Sequence, residues 1–389
     1  MTRKVRSGLS RLIEDESHRI RGRRVAVLCH HASFTDQLEF APKALERLGA
    51  KVIRLLGPEH GPWGTAQDMI PVDGGRDPWT GYALTSLYGH EVESLTPERN
   101  ALDGIDLLIV DLQDVGSRYY TYAATAALAV EVARNAGVEV LVCDRPNPIG
   151  GERIEGGQVL EAYRSFVGRY DVAIRHGLTL GELVAYYLEW PELPVVKMDG
   201  WQRDMWFDDT GLPWIPPSPN LPSLGTATVY PGQCLLEGTL ASEGRGTTTP
   251  FEVFGAPWVE PFKLVETLQS YALPGVVFRP HVFEPTFQKY ARTPCGGAQM
   301  MVCDRMTFQP VLTGLAVLCA LQAHGPTTFA WRTERYEYVT DRLAIDLLLG
   351  DPELRLAIES GSAPRDVSSM MEPHREDYRQ RSLAYRLYV

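Results

Sequence analysis

The fold of this chain is limited most strongly by a regular alternation of short apolar runs with segments of helical period. From residue 24 the apolar runs are RRVAVLC, KVIRLL, DLLIVDL, VEVLVCD and PVVKM, and the segments between them include LEFAPKALERLG and YTYAATAALAVEVARNAG. Strands that alternate with helices are typical of a parallel sheet covered by helices. The sequence therefore predicts an α/β fold with a doubly wound, Rossmann-like sheet.

A proline-rich segment, WIPPSPNLPS, divides the chain. Prolines at this density interrupt helices and strands, so we place a domain boundary there, with a Rossmann-like catalytic domain at residues 20–222 and a smaller mixed α/β domain at residues 223–389. The second domain has predicted strands GVVFRPHVF and AQMMVC and predicted helices PFKLVETLQSYA and PVLTGLAVLCALQAHG. A long proline-rich loop that crosses an active site is the alternative interpretation.

The charge and the N-terminal segment limit the partners. A net charge of -11 argues against a nucleic-acid or anionic-membrane surface, although a few local arginines can still hold a small anion. The first 24 residues are basic and contain no apolar core, so neither a secretory signal nor a membrane span is predicted. The expected location is the cytoplasm.

Polar side chains follow four of the predicted strands, at the ends where open α/β sheets bind ligands. These residues are His30 and Ser33 after the first strand, Glu59 and His60 after the second, Asp111, Gln113, Asp114 and Arg118 after the third, and Asp144, Arg145 and Asn147 after the fourth. Their convergence predicts one polar cleft. Taken singly, Asp114 could cap a helix, Asp144 could pair with Arg145, and His60 could be an ordinary turn residue.

Several chemistries lack their motifs in this sequence. There is no GxGxxG after the first strand, no phosphate loop, no HExxH and no GxSxG, so we expect neither a metal nor an organic cofactor. A metal-dependent hydrolase would have to use His30, His60, Asp111 and Asp114, which have no recognised ligand spacing. Carboxylates remain the main reactive candidates.

Two carboxyl groups in different environments are what glycoside hydrolysis requires. Glu59 lies in the turn GPEHGPWG beside Trp63, where apolar surroundings would favour a protonated acid. Asp111 and Asp114 lie near Arg118 in sequence, which would favour their charged forms. These residues are predicted to supply the acid and its ionised partner.

The motifs resemble, in order, those of the exo-β-N-acetylmuramidase family of peptidoglycan recycling. They are GPEHG, SLYG, DLQDVGSRYYTY, DRPNPIGG, SFVG with RHGLTLGEL, PSPNLP, YPGQCLLEGTLASEGRGTTTPFEVFGAP and TDRLAIDLLLG. The similarity runs from about residue 24 to the C-terminus. It implies a Rossmann-like domain and a smaller α/β domain with the active site in the cleft between them, and release of N-acetylmuramic acid from the non-reducing end of peptidoglycan fragments.

The resemblance also implies roles for individual residues. Glu59 is implied as the general acid, and the residues implied to surround the substrate are Asp111, Asp114, Arg118, Tyr120, Asp144, Asn147, Arg175, His176, Asn220, Glu243 and Arg245. The lactyl carboxylate of the sugar would bind Arg118, Arg175 or Arg245. Asp114, or alternatively Glu243, would orient the 2-acetamido group. Glu243 and Arg245 could instead form an ion pair in a tight turn.

The chain departs from the family pattern at His30, Trp63 and Leu240, where the family usually has asparagine, arginine and asparagine. A related N-acetylated amino sugar is therefore an alternative substrate. A catalytically inactive protein that binds cell-wall fragments is the alternative function.

Overall fold

A computed structural model describes residues 5–325 and 327–389. Within these residues the larger sheet has seven strands in the order β3-β4-β2-β1-β5-β6-β7. The strands are β1 (Arg24–Cys29), β2 (Lys51–Gly57), β3 (Gly75–Arg76), β4 (Ala83–Ser86), β5 (Leu107–Asp111), β6 (Glu139–Cys143) and β7 (Val195–Val196). Neighbouring strands are parallel except β3 and β4.

The predicted doubly wound sheet is confirmed. All five predicted strands are present, as β1, β2, β5, β6 and β7. β1 lies in the sheet between β2 and β5. The chain runs from β1 towards the β2 edge and from β5 towards the β7 edge, so the loops that follow β1 and β5 diverge. Such a reversal opens a crevice at the carboxyl ends of the strands.

Alternating side chains bury both faces of this sheet. On one face, strand residues such as Val27 and Ile109 pack with α1 (Gly8–Glu14) and α2 (Ala41–Arg47). On the other face, the strand residues adjacent to these in sequence pack with α3 (Tyr122–Asn135) and α4 (Leu180–Tyr187). Because strand side chains alternate with a period of two, consecutive apolar residues supply two separate cores.

α4 begins with a capping box. The Thr179 side chain accepts a hydrogen bond from the Glu182 amide, and the Glu182 side chain accepts one from the Thr179 amide. This reciprocal capping box satisfies two amides that the first helical turn leaves without partners.

A second, three-stranded antiparallel sheet lies in the C-terminal half, in the order β8-β10-β9. Its strands are β8 (Val253–Ala256), β9 (Val276–Phe283) and β10 (Cys295–Val302), and α6 (Pro261–Ser270) packs on it and on α7 (Pro310–His324). The predicted strands and helices of this half are therefore present, with β8 in addition. The mixed α/β character of the second domain is confirmed.

The proline-rich segment at residues 214–223 contains no helix or strand, and α5 (Leu224–Gln233) begins directly after it. α5 packs closely on α7. The two backbones are so near each other that a Cβ atom at Gly232 would lie 1.9 Å from the carbonyl oxygen of Pro310. The start of the C-terminal half is thus fixed to its core by contact between backbones.

The last part of the chain returns to the Rossmann-like half. It contains α8 (Ala344–Leu349), α9 (Pro352–Glu359), α10 (Pro364–Ser369) and α11 (Glu372–Ser382). The Tyr388 hydroxyl donates to the Asp144 carboxylate at 2.6 Å, beyond the end of β6. Among the described residues, no helix combines the length and the apolar character needed to cross a bilayer.

Candidate active site

A small polar cavity lies where the loops after β2 and β5 meet the C-terminal half. Its volume is about 40 Å³. The N-terminal half contributes Glu59, His60, Asp68, Tyr119, Tyr120, Thr121, Val167, Ser218, Asn220 and Leu221, and the C-terminal half contributes Tyr230, Glu237, Arg245, Phe251, Tyr336 and Glu337. The cavity is therefore built from both halves of the chain.

Glu59 is buried at the end of β2 and fixed by two donors. Its carboxylate accepts a hydrogen bond from the Thr121 hydroxyl at 2.9 Å and lies 3.4 Å from the Met69 amide. No Lys or Arg of the described residues forms an ion pair with it. The Glu59 carboxyl thus has a fixed direction and lines the cavity. Among the described residues, no cation neutralises it.

Arg245 is surrounded by three carboxylates. Its guanidinium lies 3.1 Å from Asp68, 2.6 Å from Glu237 and 3.3 Å from Glu243. Burial lowers the pKa of Arg245, but the three charges outweigh burial and hold its pKa well above the ordinary value. Lys289 neutralises Glu243 further, with 2.8 Å between its amine and the carboxylate.

Glu337 faces the same cavity from the C-terminal half. Its carboxylate accepts a hydrogen bond from the Tyr88 hydroxyl at 3.0 Å. Burial, and then the charge of Glu59, raise the pKa of Glu337 well above its ordinary value. The neighbouring Tyr336 hydroxyl donates to Glu237 at 2.8 Å, so this short segment directs two polar side chains at the carboxyl cluster.

Some residues at this cavity have left-handed backbone. His60 (φ 68), Phe251 (φ 64) and Glu337 (φ 47) all line it, and Met69 (φ 59) contacts Glu59. Non-glycine residues adopt this conformation at a cost, and such residues cluster at functional sites where the surrounding structure enforces them.

The loop at residues 60–72 closes the cavity. The Asn220 amide donates to Gln67 at 2.8 Å, the Gln288 amide donates to Asp68 at 2.7 Å, and Asp68 also pairs with Arg245. Ligand sites usually have volumes of about 300–1,000 Å³, far above that of this cavity. The cavity in this structure is thus smaller than a typical ligand site.

Comparison with known proteins identifies the family. The models for the N-terminal and C-terminal domains of exo-β-N-acetylmuramidase NamZ match residues 25–225 and 228–388. The chain belongs to the NamZ family. The resemblance in the sequence motifs is thereby confirmed.

Three known proteins illustrate the similarity. The chain is 40% identical over 390 residues to the peptidoglycan β-N-acetylmuramidase NamZ of Bacillus subtilis (strain 168), covering 99% of this chain and 92% of that protein. It is 32% identical, with a TM-score of 0.88, to the crystal structure of a DUF1343 family protein from Bacteroides fragilis NCTC 9343, covering 99% of each chain. A second structure from that organism, at 23% identity and a TM-score of 0.76, shares the fold.

The structure brings some of the residues implied by the NamZ resemblance into the cavity lining. These are Glu59, Tyr120, Asn220 and Arg245, and His60, predicted from its place after the second strand, lines the cavity too. Glu243 lies directly behind them, in ion pairs with Arg245 and Lys289. The ion pair expected as the alternative for Glu243 and Arg245 is thus present, but it is part of the buried cluster at the cavity.

Asp111 and Arg118 differ from the expectation. Asp111 is fully buried in an ion pair with Arg145, with both oxygens 2.7 Å from the guanidinium. Burial raises the pKa of Asp111, and the Arg145 charge opposes this shift. Ser33 donates to the Asp111 carbonyl oxygen. Asp111 therefore anchors the end of β5 and does not line the cavity.

Arg118 binds backbone and not a carboxylate. Its guanidinium donates to the carbonyl oxygens of Gly157 and Val172, each at 2.9 Å, and of Leu348 at 2.6 Å and Leu349 at 3.1 Å. The last two carbonyls belong to the C-terminal end of α8, where a cation is favoured by the helix dipole. Arg118 thus joins the two halves, and the predicted contact with Asp111 and Asp114 is absent.

Asp114, His176 and Asn147 form a buried network behind the cavity. The Leu178 amide donates to His176 Nδ1 at 3.1 Å, so the neutral ring carries its proton on Nε2 and donates it to Asp114 at 3.1 Å. Asp114 also accepts from the Gly116 amide at 2.6 Å, and Asn147 donates to the Leu178 carbonyl at 2.9 Å. These contacts hold a turn in place, and none of the three side chains lines the cavity.

Asp144 and Arg175 are likewise structural. Asp144 accepts hydrogen bonds from Thr179, the Gly181 amide and Tyr388, and burial raises its pKa to about 6 against these bonds. The expected alternative of an Asp144–Arg145 ion pair is not present, because Arg145 pairs with Asp111. Arg175 pairs with Glu155 at 3.0 Å away from the cavity.

The surroundings of Glu59 differ from the expectation at Trp63. The Trp63 ring packs on Phe40 and its Nε1 donates to Asp77 at 2.8 Å. His30 lies behind the cavity, where its Nε2 accepts from the Gln113 amide at 3.1 Å and burial lowers its pKa well below the ordinary value. Neither Trp63 nor His30 lines the cavity.

Several polar cavity residues were not anticipated from the sequence. Among them are Asp68, Thr121, Glu237, Tyr336 and Glu337. Glu237 and Thr121 fall inside the family motifs, which gave a usable signal. Within residues 5–325 and 327–389, no group of three or more His, Cys, Asp or Glu side chains is arranged to hold a metal ion.

Proposed function

We propose that this protein is an exo-β-N-acetylmuramidase that removes N-acetylmuramic acid from the non-reducing end of peptidoglycan fragments by hydrolysis. Membership of the NamZ family supports the reaction, as does the 40% identity to the peptidoglycan β-N-acetylmuramidase of Bacillus subtilis. The observation that carries the proposal is Glu59, a buried carboxyl without a cation in a cavity that also holds Arg245.

Glu59 acts as the general acid. No cation of the described residues pairs with its carboxyl, and Thr121 fixes the direction of the group. The Glu59 proton passes to the glycosidic oxygen as the bond from that oxygen to the anomeric carbon breaks, and water completes the hydrolysis.

Arg245 binds the lactyl carboxylate of the sugar. Of the three arginines considered from the sequence, it alone lines the cavity, whereas Arg118 and Arg175 are occupied by carbonyl groups and by Glu155. The substrate carboxylate replaces Asp68 on the guanidinium when the loop at residues 60–72 opens.

The three departures from the family pattern are compatible with this activity. Leu240 is 40% exposed, and His30 and Trp63 lie behind or beside the cavity, so none of the three belongs to its described lining. The experiment must also distinguish this enzyme from a protein that binds the sugar without catalysing its hydrolysis.

The test is release of 4-nitrophenol from 4-nitrophenyl β-N-acetylmuramide, beside the β-N-acetylglucosaminide, by wild type, Glu59→Gln and the control Asp73→Asn. Asp73 lies exposed in the same inter-strand segment. We expect muramide-selective turnover that falls about 10²–10⁴-fold in Glu59→Gln and persists in the control. Muramic acid binding without turnover by the folded wild type would show a binding protein instead.

A further inference from the structure

Two carboxyl groups of the cavity have no cationic partner among the described residues. Asp68 and Glu237 pair with Arg245, whereas Glu59 and Glu337 accept hydrogen bonds from neutral donors. Glycoside hydrolysis uses two carboxyl groups that flank the bond to be broken. The proposed acid accounts for one of them.

Other carboxylates are poorly placed for the second role. Asp111 and Asp114 are held in buried networks behind the cavity, by Arg145 and by His176 respectively. Glu243 is neutralised by Arg245 and Lys289. Each of these groups would have to leave a charged or hydrogen-bonded partner before it reached a sugar.

The position of Glu337 is fixed from both halves of the chain. Tyr336 and Val339 exchange backbone hydrogen bonds at 3.0 Å, which makes a tight turn with Glu337 at φ 47. The Tyr88 hydroxyl, from the loop after β4, holds the carboxylate at 3.0 Å. A buried polar group in left-handed backbone, aimed into a cavity, indicates a functional residue.

We propose that Glu337 is the second catalytic carboxyl of this enzyme and forms an acid pair with Glu59. This inference rests on the proposed function and adds a residue to it. Glu59 delivers its proton to the leaving oxygen, and the Glu337 carboxylate stabilises the positive charge that develops at the sugar ring.

Glu59 and Glu337 interact electrostatically across the cavity. The charge of Glu59 is the second cause, after burial, that raises the pKa of Glu337. Two interacting carboxyls lose their protons in two steps that belong to the pair. Glu337 therefore ionises more easily while Glu59 is protonated than while Glu59 is charged.

The experiment compares wild type, Glu59→Gln, Glu337→Gln and the exposed control Glu334→Gln on two substrates. One is 4-nitrophenyl β-N-acetylmuramide, which has a good leaving group, and the other is a muramic acid–glucosamine disaccharide, which has a poor one. Folding is checked by thermal unfolding and by binding of N-acetylmuramic acid, because Gln preserves the shape of the buried side chain.

We expect Glu337→Gln to lower kcat/KM about 10²–10⁴-fold on both substrates. For Glu59→Gln, we expect the loss of kcat/KM to be at least about tenfold larger on the disaccharide than on the 4-nitrophenyl substrate. Loss of the like charge in Glu337→Gln should also move the basic limb of the pH profile to lower pH. Glu334→Gln should match wild type within about twofold.

Two results would overturn the inference while leaving the proposed function intact. One is a folded Glu337→Gln variant with kcat/KM within about threefold of wild type. The other is a loss in Glu337→Gln that depends on the leaving group, which would make Glu337 the acid. Absence of turnover in wild type would instead refute the proposed function, and this inference with it.

Discussion

Single side chains at this cavity show how burial sets the state of a carboxyl. Glu59, Asp68, Glu237, Glu243 and Glu337 converge there, whereas Arg245 and Lys289 are the cations that neutralise them. Where carboxyls outnumber the neighbouring cations in a buried site, ionising all of them costs more free energy than ionising exposed carboxyls.

Glu337 should make the stability of the protein depend on pH. Burial and the charge of Glu59 raise its pKa in the folded state, so the folded protein holds this proton more tightly than the unfolded chain does. Its contribution to stability is fully present below the ordinary carboxyl pKa and is lost as pH rises towards the raised value. The Glu337→Gln variant has no carboxyl at this position, so it does not lose stability in this way as pH rises.

We therefore expect denaturant unfolding to show Glu337→Gln gaining stability relative to wild type between about pH 5 and about pH 8. The exposed Glu334→Gln variant should run parallel to wild type over the same range. A difference between Glu337→Gln and wild type that does not change with pH would contradict the environment assigned to Glu337.

The Asp111–Arg145 pair provides a second prediction at this scale. Replacing Arg145 by Met leaves Asp111 buried without its counter-charge, so the free energy of unfolding should fall by about 3–5 kcal/mol at neutral pH. The loss should shrink in acid, where Asp111 takes up a proton. Arg24→Met, which breaks an exposed pair with Asp106, should change the urea midpoint very little.

Sequence reasoning located Glu59 but could not locate Glu337. Glu59 follows an apolar strand in a glycine-rich turn, and this local pattern is typical of the ligand-binding edge of an α/β sheet. Glu337 lies in the segment RYEYV, which has no neighbouring pattern that indicates chemistry. Its role depends on a long-range fold that brings it opposite Tyr88. The same limit explains why Arg118, beside Asp114 in sequence, binds distant carbonyl groups instead.

At the scale of elements, periodicity predicted the long strands of the larger sheet and missed the short strands β3 and β4. β1, β5 and β6 are continuous buried apolar runs, and the capping box of α4 marks its start. β3 has two residues and β4 has four half-buried residues, so neither shows a usable alternation. Pairing with neighbours, and not local sequence, makes these two segments strands.

The loop at residues 60–72 gives a prediction at the element scale. Asp68→Asn removes the charge that holds this loop on Arg245 while keeping the size of the side chain. We expect KM for the 4-nitrophenyl muramide to fall severalfold, because the lactyl carboxylate no longer competes with Asp68, and KM for the glucosaminide to change little. Equal changes for both sugars would argue that Arg245 does not bind the lactyl group.

For the whole molecule, the order of apolar and polar segments was sufficient to predict two α/β halves. It did not reveal that the end of the chain returns to the first half. The Tyr378 hydroxyl donates to the His176 carbonyl, and the Leu387 amide donates to Glu182, in addition to the contact of Tyr388 with Asp144. These are contacts between residues far apart in sequence, and local pattern carries no information about them.

This returning tail should stabilise the N-terminal half. Tyr388→Phe removes a buried hydrogen bond to Asp144, so we expect the free energy of unfolding to fall by about 1–3 kcal/mol with kcat unchanged. Tyr385→Phe is the matched control, since its ring packs on Tyr186 and remains in the variant. Equal stability of the two variants in urea titrations would contradict a role for the Tyr388 hydroxyl.

Construction of the cavity from both halves has a consequence for reading genomes. A chain that matched the NamZ N-terminal model alone would carry Glu59 and Thr121 but no counterpart of Arg245 or Glu337, and the converse holds for a C-terminal fragment. An orphan gene for either half should therefore encode no hydrolase by itself. Two such genes that are transcribed together, with products that reassociate, should restore one.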